Sequence, residues 1–534
     1  MKPKNLLVLF LLTVTMLAMP LPLPADDNGD GTFSNPVIWA DVPDPDVIRV
    51  GNYFYMVSTT MHLMPGAPVM RSKDLVNWET VSYLFDRLTD TPNYDLTGGT
   101  AYGRGQWATS LRYHDGTFYA YFSPNDKPFM GYVYKTKDPE KGWTLVSRLP
   151  HFHDASLLFD DDGRAYVFYG TGQLRELNPD LSGVKPGGVD MKIFERDAEE
   201  NGLLEGSRAI KHDGKYYLLM ISWPDGGKRR QVCYRADKIT GPYEKKVILE
   251  DNFAGFPYVG QGCIVDDASG NWYGVIFQDR GGVGRVLTLM PCRWIDGWPM
   301  LGDAEDHVPA VMRKPVQGCP VIPLVVSDGF DGNRMKINWQ WNHNPVDSAW
   351  SLTERPGYLR LKTSRVTDNI FIAPNTLTQR MEGPGCTATV AVDVTGMRDG
   401  DVAGFGAFNG DAGLLSVVDE GGKRYIRLTS ESVALRDSDK AVTSVRRETL
   451  FNAPLKAGKI YLRIDADFRL NRDVAQFYYS LDNKEWHRVG PDYKMIFDYR
   501  RMFMGTKFSI YNYATKAAGG HVDVDFFDYR HIRR

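Results

Sequence analysis

An apolar run, a glycine turn and an aromatic-rich run recur five times in the first half of the chain. The first copy is Val47-Ile48-Arg49-Val50-Gly51-Asn52-Tyr53-Phe54-Tyr55. The others run from Leu111 to Tyr119 about Gly116, Leu157 to Tyr166 about Gly163, Ala209 to Tyr217 about Gly214 and Ile264 to Tyr273 about Gly270. Strand-forming residues on either side of a glycine turn predict hairpins. The turn glycines stand 65, 47, 51 and 56 residues apart. That spacing is close to the length of a four-stranded propeller blade, whereas the turns of a plain sandwich come about every 8–12 residues. Five hairpins predict a five-bladed β-propeller over 26–308.

Beyond Trp294-Ile295-Asp296-Gly297-Trp298-Pro299 the pattern stops, and a Pro- and Gly-containing stretch, 309–326, reads as a linker. From 327 to 534 short β-like runs (Leu359-Arg360-Leu361, Ala388 to Val394, Gln476 to Ser480, His521 to Phe527) alternate with Gly, Asp and Asn turns. This half predicts an all-β sandwich. No stretch after the N-terminus keeps a helical period, so the fold class is all-β.

The first residues carry two lysines and then run uncharged from Leu6 to Met19, before Pro20, Pro22, Pro24 and Ala25. This is the form of a signal peptide, 1–25, cleaved after Ala25. The expectation is export to the periplasm, with secretion as the alternative. No cysteine stands near the cleavage site to take a lipid, and no later apolar run is long enough to cross a bilayer, so no membrane anchor is expected. With 63 Lys and Arg against 66 Asp and Glu, the 534-residue chain has a formal charge of −3, which gives no basic field for nucleic acid. The five cysteines are odd in number and lack zinc-like spacing, so they read as small buried residues. No obligate protein partner is evident.

In a propeller the first strand of each blade lines the axis, so polar residues just ahead of each hairpin face a shared funnel. Counting back from the turn glycines gives Asp44, Asp154, Glu205 and Gln261, with Trp107, Thr109 and Ser110 in the second blade. Asp44, Asp154 and Glu205 stand among apolar or small neighbours, unlike the solvated turn residues Asp160, Asp161, Asp162, Asp213 and Asp266. Buried carboxylates need a partner or a role.

Asn35-Pro36-Val37-Ile38, Val42-Pro43-Asp44-Pro45-Asp46-Val47, Arg71-Ser72-Lys73-Asp74-Leu75-Val76-Asn77-Trp78, His153-Asp154-Ala155-Ser156-Leu157 and Leu204-Glu205-Gly206-Ser207 occur in an order and spacing that resemble glycoside hydrolase family 43. Ser327-Asp328-Gly329-Phe330-Asp331-Gly332 and Trp350-Ser351-Leu352 are similar to the concanavalin-like sandwich that follows the propeller in many of its β-xylosidases and α-L-arabinofuranosidases. The resemblance implies an inverting glycosidase in which Asp44 is the general base, Glu205 the general acid and Asp154 the residue that orients the acid and raises its pKa. It also implies that Arg285 contacts sugar hydroxyls, that Trp107 offers a ring face to the sugar and that His62, after the first hairpin, lines the sugar pocket. Gln261 replaces a central histidine that some members place near calcium. A metal is therefore less assured, and a reaction through three carboxylates needs no cofactor.

The resulting expectation is an exo-acting enzyme that releases terminal α-L-arabinofuranose from plant hemicellulose oligosaccharides. The alternatives are a β-D-xylosidase on xylo-oligosaccharides and a non-catalytic carbohydrate-binding propeller. A sialidase-like propeller would need repeated Ser-x-Asp-x-Gly-x-Thr-Trp boxes, which are absent. The sandwich either binds glycan or packs on the propeller and lends a loop to the active-site rim.

Overall fold

Each of the five predicted hairpins is the first half of a four-stranded antiparallel sheet in the computed structural model, which describes residues 27–532. The first strands are Asp46–Val50, Ser110–His114, Ser156–Phe159, Leu203–His212 and Val259–Asp266, and the turn glycines between them and their partners all have positive φ. These strands stand side by side in a closed ring, each touching the next and the fifth touching the first. The result is a five-bladed propeller. The signal-peptide expectation lies outside the described residues.

Side chains at the base of the ring hold neighbouring blades together. Leu111 N donates to Asp46 Oδ2 (2.9 Å), Leu157 N to Ser110 Oγ (3.0 Å) and Ala209 N to Ser156 Oγ (2.9 Å). At the closing junction Val47 N donates to Cys263 Sγ (3.2 Å). Each bond satisfies a backbone N–H that faces the buried axis, where an unpaired donor is costly. Arg112 crosses the same axis, with Nη1 on Asp46 Oδ2 (2.7 Å), Nη2 on Ser156 Oγ (2.6 Å) and Nε on the Leu157 carbonyl (2.7 Å). The segment ahead of the first blade completes the circle on the last one. Ile38 bridges Leu287, and Asn35 Nδ2 donates to the carbonyls of Leu289 and Pro309 at 2.8 Å each. Within 309–326, Val311–Arg313 pairs antiparallel with Thr32–Ser34.

The C-terminal half is a sandwich of an eight-stranded and a seven-stranded sheet. Residues such as Val390, Phe405, Ile464, Phe508 and Phe527 interdigitate between the sheets, joined by Val283 and Val286 of the propeller. The eighth strand of the larger sheet comes from the propeller: Leu63–Met64 pairs with Gln340–Asn342 of the sandwich. A second apolar cluster spans the two halves, including Met61, Leu63 and Tyr102 on one side and Ile370, Phe371, Met502 and Met504 on the other. Among the described residues there are four short 3-10 turns and no α-helix, hence no helix long and apolar enough to cross a membrane.

All five cysteines are free, and four of them are buried. Burial pushes the Cys263 thiol up to about 12, in keeping with its part as a packed hydrogen-bond acceptor.

Candidate active site

The ring places a left-handed residue two positions before the base-of-ring residue in four of its blades. Asp44 (φ 55°) precedes Asp46, Asp154 (φ 46°) precedes Ser156, Gly206 (φ 76°) precedes Arg208 and Gln261 (φ 69°) precedes Cys263. Non-glycine residues pay roughly 1–2 kcal/mol for this conformation, and Asp pays less than most. At this kink the backbone turns a side chain into the mouth of the funnel. In the fourth blade glycine holds the kink and the carboxylate stands one residue earlier, at Glu205, where a longer side chain spans the offset. A strand irregularity between Glu205 and Arg208 accommodates the shift.

Asp44 Oδ2 accepts from Thr59 Oγ1 (2.6 Å), and Oδ1 faces Arg285 Nη1 at 3.3 Å. Its carbonyl accepts from Arg208 Nη2 (2.9 Å), a fully buried guanidinium that also binds the carbonyls of Pro45 and Ser207. The kinked backbone is therefore held from beneath. Asp154 Oδ2 accepts from Gly206 N (3.1 Å), tying this carboxylate to the residue beside Glu205.

Between these two carboxylates lies His153, whose Nε2 is 3.1 Å from Glu205 Oε2 and 3.8 Å from Asp154 Oδ2. The Asp154 carboxylate, and then Glu205, pull the imidazole up to about 9. Burial pushes Asp154 up to about 7, with His153 opposing the rise and Glu205 and Asp44 adding to it. His153, Asp154 and Glu205 also form the one group of metal-type donors among the described residues, all within 4.8 Å of one another. Two of these donors face each other as a hydrogen-bonded pair, His153 Nε2 and Glu205 Oε2 at 3.1 Å.

Arg285 is buried against Asp44, and its Nη2 donates to the carbonyl of Phe503 (3.1 Å), with the guanidinium 4.6 Å from that ring. Phe503 belongs to the sandwich. Its loop reaches the funnel because Gly505 lies so close to the propeller that a β-carbon there would stand 2.2 Å from the Val283 carbonyl oxygen. Trp107 packs on both sides, 5.8 Å from the His153 ring and 5.5 Å from that of Phe503. Gln261 is buried against Gly206, the residue after Glu205.

His62 does not line this cavity. Its ring is 0% exposed and packed against Tyr102 (4.7 Å) and His343 (4.8 Å). The expectation fails because the segment after the first hairpin leaves the propeller as the edge strand Leu63–Met64, which draws His62 into the boundary between the domains. In turn His153, Thr59, Arg208 and Phe503 enter the site without having been singled out as site residues. Only His153, adjacent to Asp154, left a trace in the sequence.

Residues 33–299 match the model of glycosyl hydrolases family 43, and residues 327–530 match the β-xylosidase C-terminal concanavalin A-like domain. The chain belongs to glycosyl hydrolase family 43. A β-xylosidase of Formosa agariphila is 31% identical, over 94% of this chain and 91% of its own length. A non-reducing end α-L-arabinofuranosidase of Bacteroides ovatus is 30% identical over 70% of this chain and 73% of its own. Among solved structures, a bifunctional GH43-CE protein of Bacteroides eggerthii superposes with a TM-score of 0.85 at 42% identity, over 94% of this chain; this chain spans 64% of that one. This family 43 chain is thus a glycoside hydrolase acting on oligosaccharides, built as a propeller with a concanavalin-like sandwich.

Proposed function

We propose that the protein is an exo-acting, inverting glycosidase that removes a terminal pentose, β-D-xylose in the first place, from hemicellulose oligosaccharides. The observation that carries the reading is the meeting of three carboxylates from three blades in one funnel, backed by Arg208 and overhung by Phe503. Glu205 gives its proton to the glycosidic oxygen as the C1–O bond breaks. Asp44, aligned by Thr59 and Arg285, takes a proton from water as that water attacks C1 from the opposite face. Asp154 positions the acid through Gly206 N. No cofactor enters these steps.

Xylose is favoured by two relatives that align over most of the chain and are named as β-xylosidases. Arabinofuranose is the second reading, favoured by the Bacteroides ovatus relative. Export through the leader 1–25 belongs to the same proposal, and mass spectrometry of the mature protein should then find Asp26 at its start. The deciding experiment is proton NMR of the sugar in the first minutes of hydrolysis, on nitrophenyl β-D-xyloside and α-L-arabinofuranoside in parallel. Inverted product from the faster substrate is expected. Retained configuration would remove Asp44 from its role as base.

A further inference from the structure

Beyond Trp107 and Phe503 the funnel continues into a groove of about 560 Å³ between the second blade and the sandwich. Its walls come from both domains, Trp107, Lys127 and Phe129 from the propeller and Tyr499, Arg500 and Phe503 from the sandwich. Phe129 is 48% and Tyr499 59% exposed, so each offers a ring face to the groove. The groove opens on the acid's side of the funnel, because Trp107 packs against His153 and His153 touches Glu205. That is where the leaving group must lie, since its oxygen receives the proton from Glu205.

The charge along the groove is lopsided for a chain that is slightly acidic overall. Five basic residues line it against one acidic residue, Asp126. Three of the five are answered locally: Arg104 by Asp126 (2.7 Å), Lys440 by Asp437 (3.2 Å) and Arg501 by Asp411 and Asp498 (2.9 and 2.8 Å). Lys127 and Arg500 have no carboxylate partner among the described residues, and both are exposed. One stands on each domain, with aromatic rings beside them. A neutral xylan or arabinan chain offers hydroxyl oxygens to these two cations but no opposite charge. A hemicellulose backbone carrying uronic acid branches offers pyranose faces for the rings and a carboxylate for the ammonium and guanidinium groups.

We propose that this groove holds the leaving-group chain of a uronate-substituted xylan, with Lys127 and Arg500 binding the branch carboxylate. The proposal rests on the glycosidase reading, and the test separates the two. Release of terminal xylose is compared between xylotetraose and the same backbone bearing one glucuronic acid branch, at low salt and in about 1 M NaCl. The acidic substrate should be preferred in kcat/KM by about 2- to 5-fold at low salt, the worth of one exposed ion pair. Salt should erase most of that preference, because the Debye length falls to about 3 Å. In the double variant Lys127→Gln, Arg500→Gln the ratio should drop to about one. An acidic-to-neutral ratio near one in the wild type, or a preference that survives in the double variant, overturns the proposal. Should the protein cleave no glycoside at all, the glycosidase reading falls alone. Calorimetric binding of the acidic oligosaccharide then decides the groove: binding that the double variant abolishes supports it, and no binding, or equal binding in both, overturns it.

Discussion

His153 stands between Glu205 and Asp154, and Asp154 first, then Glu205, pull its imidazole up to about 9. A group that titrates there inside the proposed active site leaves its mark on the alkaline side of the pH profile. Replacing His153 by Gln keeps a polar side chain and removes that titration, so a fall in kcat/KM near pH 9 in the wild type should be absent from the variant. The same fall in both proteins would show that the imidazole does not carry it. Asp44, Asp154 and Glu205 were legible in the sequence because turn glycines set a count and apolar neighbours set them apart from solvated turn residues. His153 was visible only as the residue before Asp154. Nothing in the sequence sets it apart until the fourth blade is laid beside the third. Phe503 left no trace at all, since an aromatic residue in a sandwich sequence reads as core.

At the level of the element, the left-handed kink at the start of the inner strand determines which residue enters the funnel. Gly206 can occupy it without strain, and a β-carbon there would sit 2.8 Å from the Gln261 side chain. Gly206→Ala should therefore cost about 1–2 kcal/mol for the left-handed backbone. It should also displace Glu205, so that kcat falls well beyond what the lost stability explains. Urea denaturation and initial rates on a nitrophenyl glycoside check both halves, and full activity in a folded variant would sink the account. The five hairpins were legible because glycine turns between strand-formers are local signals. The kinks and the bonds at the base of the ring were not, because Asp46, Ser110, Ser156 and Cys263 acquire their meaning only from a neighbouring blade. Leu63–Met64 was missed for the same reason: two residues carry too little pattern to announce an edge strand of another domain.

In the whole molecule the boundary between the domains is a shared sheet and a shared core, and it is sensitive to acid. Burial, and then Lys507, push the His62 imidazole down to about 3, and burial followed by His62 lowers His343 as well. An unfolded histidine takes up a proton near pH 6.5. Between about 6.5 and 3 the unfolded chain therefore binds more protons than the folded one, and stability falls as pH falls through that window. Asn342 is the polar side chain facing His62, but neither ring nitrogen makes a hydrogen bond of good geometry, so His62→Phe should leave Tm near neutral pH little changed and make its decline toward pH 4 shallower. A slope as steep as that of the wild type would place the acid sensitivity elsewhere.

The pairing of Ile38 with Leu287 joins positions some 250 residues apart in the chain. A ribosome adding about 5–20 residues per second needs roughly 12–50 s to make that stretch. For all that time the first blade has no neighbour for its closing face, and Val47 N waits for a cysteine not yet made. The Leu63–Met64 strand waits longer, until Gln340–Asn342 emerges. The nascent chain thus carries open β-edges for most of its synthesis, and whatever holds it in the interval has to recognise unpaired strands rather than a finished domain.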